Sequence, residues 1–138
     1  MEQITIKANV KASAKKVWEL WTNPKHIVKW NTASDEWHTP KAENDLRVGG
    51  KFLSRMEAKD GSFGFDFTGT YNEVDPLKRI AYTMEDGRKA EIDFKENQGN
   101  TEIVTIFDAE SQNPIDMQRD GWQAILDNFK NYTENNES

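Results

Sequence analysis

The residues of this chain that could do chemistry are few. Two histidines, His26 and His38, stand apart from each other, and a catalytic triad would need a nucleophile and an acidic orienter around one of them. No spacing in the sequence supplies that set. There is no cysteine, which removes thiolate nucleophiles, thiolate metal sites and disulfides together. Zinc spacings, a P-loop and the dinucleotide fingerprint are absent, and Gly49-Gly50 alone reads as a turn or bend. Glu91 and Asp93 share a strand parity with Lys89 and Lys95, expected to face water, so they do not form an acid/base pair in a cavity. On the opposite parity stand Ser54, Thr105 and the Tyr82 hydroxyl, groups suited to orienting a ligand carbonyl or phenol. The inventory leads us to expect no metal and no cofactor. Enzymatic turnover is the minority reading, with His38 and Tyr82 as its candidates.

These groups need elements to position them, and the hydrophobic pattern supplies a run. Ile4, Ile6, Ala8 and Val10 alternate with polar neighbours, the mark of a half-buried strand and not of a signal peptide. Ser13 is placed to cap a helix carrying Val17, Leu20 and Trp21. Asn23-Pro24 ends it and opens a short second helix to about Trp30, with proline at the first helical position. Strand patterns then follow at Glu36–Thr39, around Phe52, Ser54 and Met56, and around Phe65, Phe67 and Tyr71. Others centre on Ile80, Tyr82 and Met84, on Ala90, Ile92 and Phe94, and on Ile103, Thr105 and Phe107. Asp60-Gly61, Asp75-Pro76 and Gly99-Asn100 mark turns, and Asp86-Gly87 predicts a two-residue type I′ hairpin. Successive hairpins imply an antiparallel meander. Gly69 inside a strand predicts a bulge or sharp bend. Asn113 is read as the cap of a final helix of about 20 residues opened by Pro114. Trp122, Ile125, Phe129 and Tyr132 lie along one stripe of that helix.

The 138 residues suit one domain, 1–138, whose last few polar residues fray. The formal charge is −6, and scattered rather than massed basic residues argue against nucleic acid. No apolar run reaches the length of a membrane span, so no membrane insertion is expected. A cytoplasmic location is the expectation.

A curved antiparallel sheet followed by one long amphipathic helix buries both apolar surfaces when the sheet wraps the helix. The chain resembles the helix-grip (START-like, SRPBCC, Bet v-type) α+β proteins in that order of elements. Within them it resembles the AHSA-like family, the homologues of an activator of heat-shock chaperone ATPase. The resemblance rests on Val17-Trp18 with Pro24 and Trp30, on Asp45-Leu46-Arg47-Val48-Gly49-Gly50, and on Gly69-Thr70-Tyr71 leading to Val74-Asp75-Pro76. It also rests on Ile80-Ala81-Tyr82-Thr83 and Gly121-Trp122-Gln123. It implies six or seven strands around a long C-terminal helix, with two short helices after the first strand, and a cavity for a small molecule or lipid. Catalysis belongs to other branches of the superfamily. The eukaryotic co-chaperones of that name carry a further N-terminal domain, so the expectation here is a ligand cavity before a chaperone-activating role or a place in the stress response.

The sheet contribution to that cavity is expected from Phe52, Ser54, Met56, Phe65, Phe67, Tyr82, Met84, Phe94, Thr105 and Phe107. Trp122, Ile125 and Phe129 of the last helix are expected to roof it. Aromatic faces and flexible methionines suit lipid-like or flat aromatic ligands; the alternative for every one of these positions is ordinary core. Three functions stay open: binding a hydrophobic small molecule, a co-chaperone-like interaction module, and a cyclase- or hydrolase-like enzyme using the same cavity. Trp18, Trp30 or Trp37 could form an exposed partner patch, or else pack the early helices onto the end of the sheet.

Overall fold

The computed structural model describes residues 2–136. The first strand, β1 (Gln3–Val10), alternates exposed and buried positions without exception. Ser13 then caps α1 (Ala14–Thr22), its Oγ accepting from the Lys16 N–H at 3.2 Å. Asn23 caps α2 (Pro24–Trp30) through its Oδ1, with Pro24 at the helix start where no amide donor is needed.

The chain continues through β2 (Trp37–Asn44), β3 (Lys51–Ala58), β4 (Gly64–Asp75), β5 (Arg79–Met84), β6 (Lys89–Asn97) and β7 (Asn100–Asp108) to α3 (Ile115–Glu134). The strands form one antiparallel sheet in the order β1-β7-β6-β5-β4-β3-β2. Because β1 pairs with β7, the two short helices carry the chain from one edge of the sheet to the other. The sheet curls into a half-barrel and α3 lies in it. The first edge is covered: Gln123 Nε2 donates to the Lys7 carbonyl at 3.0 Å, and Lys130 Nζ reaches the Asn9 carbonyl. These α3 side chains bond β1 backbone groups that an open edge would offer to another strand.

Turn chemistry departs from the pattern reading at two places. Asp86 does not take positive φ. Gly87 does (φ 93°), and its N–H donates to the Met84 carbonyl at 2.9 Å while Met84 N–H donates to Arg88 at 2.7 Å. That is a three-residue loop with glycine in the left-handed position, not a type I′ turn. Positive φ at both central residues occurs instead at Gln98 (54°) and Gly99 (82°), between the paired Asn97 and Asn100.

Gly69 makes no bulge. It sits in regular register opposite Phe52 and Met84, and the shift in pairing falls between Tyr71 and Glu73. The glycine serves packing: a Cβ there would lie 2.6 Å from the Phe52 ring and 2.9 Å from the Thr83 carbonyl oxygen. The edge strand β2 is also longer than the Glu36–Thr39 pattern, because its second half, Lys41–Asn44, pairs with β3 through backbone alone beyond a register shift.

α3 begins differently as well. Pro114 occupies the cap position, and Asn113 caps nothing. Gln118, only 8% exposed, closes this end instead. Its Oε1 accepts from Glu110 N–H at 2.9 Å, and its Nε2 donates to the Glu110 and Asn113 carbonyls at 3.0 and 2.7 Å.

The core concentrates where α1 and α2 meet the sheet. Trp21 packs against Trp30, Phe94 and Phe129 with centroids 4.8–5.6 Å apart, and Trp18 meets the edge of Phe94. Trp30 also donates its Nε1–H to the Leu20 carbonyl at 2.9 Å, which satisfies the polar end of a buried ring. Three of the four early tryptophans, Trp18, Trp21 and Trp30, therefore pack the helices onto the sheet. On the outer face Arg79 joins Glu73, Glu91 and Asp93 at 2.8–3.0 Å, tying β4, β5 and β6 across water-facing positions.

Candidate functional site

Away from the tryptophan-rich end, α3 meets the sheet along β1 and at the stack of Trp122 on Phe107, and stands off the strands beyond. A cavity of about 330 Å³ lies between them, at the low end of the roughly 300–1,000 Å³ common for small-molecule sites. Its floor is an aromatic belt built on three neighbouring strands. Phe52 meets Tyr82 edge-on at 4.8 Å and packs against Tyr71 and Phe67 at 5.4 and 5.5 Å. The absent side chain at Gly69 is what lets the Phe52 ring settle there. Across the cavity Trp122 of α3 stands perpendicular to Phe67 at 6.4 Å and stacks on Phe107 at 3.8 Å, nearly coplanar (8°). The stack gives the Trp122 ring one firm face and leaves it fixed beside the open volume.

Nine of the predicted residues line this space: Phe52, Ser54, Met56, Phe65 and Phe67 from β3 and β4, Tyr82 and Thr105 from β5 and β7, and Trp122 and Ile125 from α3. Four do not line it. Phe94 and Phe129 are buried in the tryptophan cluster, Phe107 is covered by Trp122, and Met84 is buried beyond the cavity wall. Strand parity sends Met84, Phe94 and Phe107 inward, and the α3 stripe does the same for Phe129. Neither pattern says which length of the sheet the helices fill.

The lining also holds residues that the sequence reading did not select. Tyr71, Ile80 and Ile92 carry the inward parity and were legible on that ground. Trp21, Ile27 and Leu126 come from the helices. Asn31, Asn44 and Arg88 are polar, and of these only Arg88 gave a signal, two positions before Ala90 on the inward side of β6.

The polar groups of the wall fall into two sets. One set is engaged. Asn31 Nδ2 donates to Ser54 Oγ at 3.1 Å, and Thr39 Oγ1 donates to the Asn31 carbonyl at 2.7 Å. The Tyr71 hydroxyl donates to Asn44 Oδ1, while Asn44 Nδ2 donates to the Thr22 carbonyl at 2.7 Å. Burial disfavours the Tyr71 phenolate and pushes that phenol above its ordinary range, although the bond to Asn44 works the other way. The other set is Thr105 Oγ1 and the Tyr82 hydroxyl, for which no protein hydrogen bond occurs among the described residues. Burial, and after it the neighbouring Tyr71, raise the Tyr82 phenol, so it stays a neutral donor at ordinary pH.

Neither histidine belongs to the cavity. His26 Nδ1 lies 2.6 Å from the Tyr132 hydroxyl, between α2 and α3. His38 stands on β2, 3.5 Å from Glu57 with both side chains well exposed. Trp37, the fourth early tryptophan, forms a surface cluster with Phe63 and Phe65 at 6.0–6.1 Å, and Phe63 is 61% exposed. Among the described residues no three acidic or histidine side chains gather as a metal site, and no helix is long and apolar enough to cross a membrane.

A curled seven-stranded antiparallel sheet gripping a C-terminal helix, with two short helices after β1 and a cavity under α3, defines a helix-grip protein. The chain belongs to the family described as Activator of Hsp90 ATPase homolog 1-like protein, whose model matches residues 11–134. An AHSA1-like protein from Aeromonas hydrophila, solved in solution, is 44% identical, with 96% of this chain and 92% of that chain covered and a TM-score of 0.91. A solution structure from Cytophaga hutchinsonii is 51% identical over the same shares of the two chains, with a TM-score of 0.84. The Aha1 dimer from Colwellia psychrerythraea shares the fold at 15% identity and a TM-score of 0.77, with each chain fully covered. No curated protein matches the chain in sequence.

Proposed function

We propose that this protein binds a hydrophobic small molecule, lipid-like or flat and aromatic, in the cytoplasm and without chemical conversion. The observation that carries the reading is the cavity itself: about 330 Å³ walled by Phe52, Phe67, Tyr82 and Trp122 and not filled by their rings. That volume suits one compact ring system or one short chain better than a two-tailed lipid. Thr105 and Tyr82 supply hydrogen-bonding groups not engaged by the other described residues, as orienting groups in such sites do.

Mass spectrometry of an organic extract of freshly purified protein should find a stoichiometric lipophile. Titration with a panel of lipophiles should shift the emission of Trp122, read against a Trp122→Phe variant because other tryptophans emit too. An empty extract together with an unmoved Trp122 signal across the panel would defeat the reading.

A second reading, a co-chaperone-like interaction module, draws support from the family description and from the exposed cluster of Phe63, Phe65 and Trp37. Stimulation of a heat-shock chaperone ATPase that disappears in Phe63→Ser would favour it. Unstimulated hydrolysis with no co-purifying chaperone would remove it.

A further inference from the structure

One inward-facing strand position carries a full charge. Arg88 precedes Ala90, Ile92 and Phe94 on the parity that sends all three into the interior. The hairpin holds it there, since its carbonyl accepts from Met84 N–H at 2.7 Å just beyond Gly87. Its side chain is 18% exposed and forms part of the cavity wall. A cation at such a place costs desolvation unless it is partnered, and its partnering is one-sided. Nε donates to Asp86 Oδ2 at 2.7 Å, and Nη1 makes a long contact of 3.4 Å to the Asp108 carbonyl. Asp86 sits at the hairpin tip with its side chain 54% exposed, so the counter-charge is shared with solvent. Nη2 has no acceptor among the described residues.

The unengaged Tyr82 hydroxyl belongs to the same wall. Tyr82 pairs with Ala90, the inward position next after Arg88, so the two groups stand on neighbouring strands at one end of the cavity. The other charged residue of the wall, Glu43, is 61% exposed and paired with Lys41 at 3.3 Å. It therefore does not offset Arg88 from within.

We propose that the cavity takes an amphipathic acid, its carboxylate on the free guanidinium edge of Arg88 with the Tyr82 hydroxyl as second donor, and its apolar body against Phe67, Trp122 and Ile125. This rests on the cavity reading and narrows it to a charge class. The discrimination has a clear physical basis. A carboxylate is hydrated far more strongly than an alcohol, so an apolar cavity lacking a cation prefers the alcohol. A planar guanidinium presenting spare N–H groups reverses that order.

The test is displacement of phenylnaphthylamine, a neutral apolar fluorophore, by the matched pair naphthylacetate and naphthylethanol. With the unaltered protein the acid should displace it at about a tenfold lower concentration than the alcohol, as a charge-assisted pair in place of a neutral one predicts. Arg88→Gln should abolish that preference, read as the ratio of the two displacing concentrations, because the charge-assisted pair is what separates acid from alcohol. An alcohol that competes as well as the acid on the unaltered protein overturns the proposal and leaves the cavity reading intact. So does an acid preference that survives in Arg88→Gln. A fluorophore that never binds overturns the cavity reading and this proposal with it. The comparison on the unaltered protein decides even if Arg88→Gln fails to fold.

Discussion

Two tyrosines facing one cavity show how little residue type says about role. Tyr71 is 7% exposed and its hydroxyl is bonded to Asn44, whose amide is in turn bonded to α1 through the Thr22 carbonyl. Tyr82 touches the same Phe52 ring, yet its hydroxyl bonds to no protein group among the described residues. Removing a satisfied buried hydrogen bond costs about 0.5–1.5 kcal/mol, so Tyr71→Phe should lower the stability read from urea unfolding by about 1 kcal/mol. Tyr82→Phe removes a group with nothing to lose in the fold, and it should stay within about 0.5 kcal/mol of the original. Equal losses in both variants would show that Tyr82 has a structural partner after all. The sequence marked Tyr82 as inward from its parity. The hydrogen bonds that separate it from Tyr71 depend on Asn44, which only the pairing of β2 with β3 brings into range.

The start of α3 illustrates the same dependence for an element. Asn113-Pro114 has the composition of a cap followed by a first helical residue, and the helix does begin there. What holds the beginning in place is Gln118, one turn in, with three hydrogen bonds to the backbone of the β7–α3 loop. Gln118→Ala would leave two carbonyls and one N–H in a part-buried site without their partner. At a cost of about 1–3 kcal/mol for unsatisfied buried groups, its urea midpoint should fall clearly. Because α3 also forms the cavity roof, ligand-induced Trp122 shifts should weaken in the same variant. A Gln118→Ala midpoint identical to the original would mean that water replaces the amide without loss. The helix was legible because an amphipathic stripe and a proline are local signals; its true anchor was not, because a buried glutamine looks like any surface glutamine in sequence.

At the scale of the molecule, the buried phenols connect burial to pH. Both phenols titrate above their ordinary value of 10.0, mainly because the interior disfavours phenolate. Below that value the folded and unfolded chains both keep the proton. Above it the unfolded chain releases protons that the folded protein retains, so stability declines as the pH rises. Urea unfolding followed from about pH 8 to about pH 11 should show this alkaline loss, and the double variant Tyr71→Phe, Tyr82→Phe should flatten it. A slope unchanged in the double variant would assign the loss to other groups.

The sequence by itself determined the order of elements, the inward face of every strand but β2, the helix boundaries at Ser13 and Asn23-Pro24, and the family. Each of these is carried by local periodicity, by capping chemistry, or by motifs that run in order along the chain. Only the tertiary structure decided where the interior is solid and where it is open. Phe94 and Phe129 share the inward parity and helix stripe of Phe67 and Ile125, but Trp21 and Trp30 descend from α1 and α2 onto the first pair and not onto the second. The cavity exists because the two short helices fill one end of the curled sheet while α3 bridges the other. Packing of that kind is set by residues far apart in the chain, and no local pattern records it.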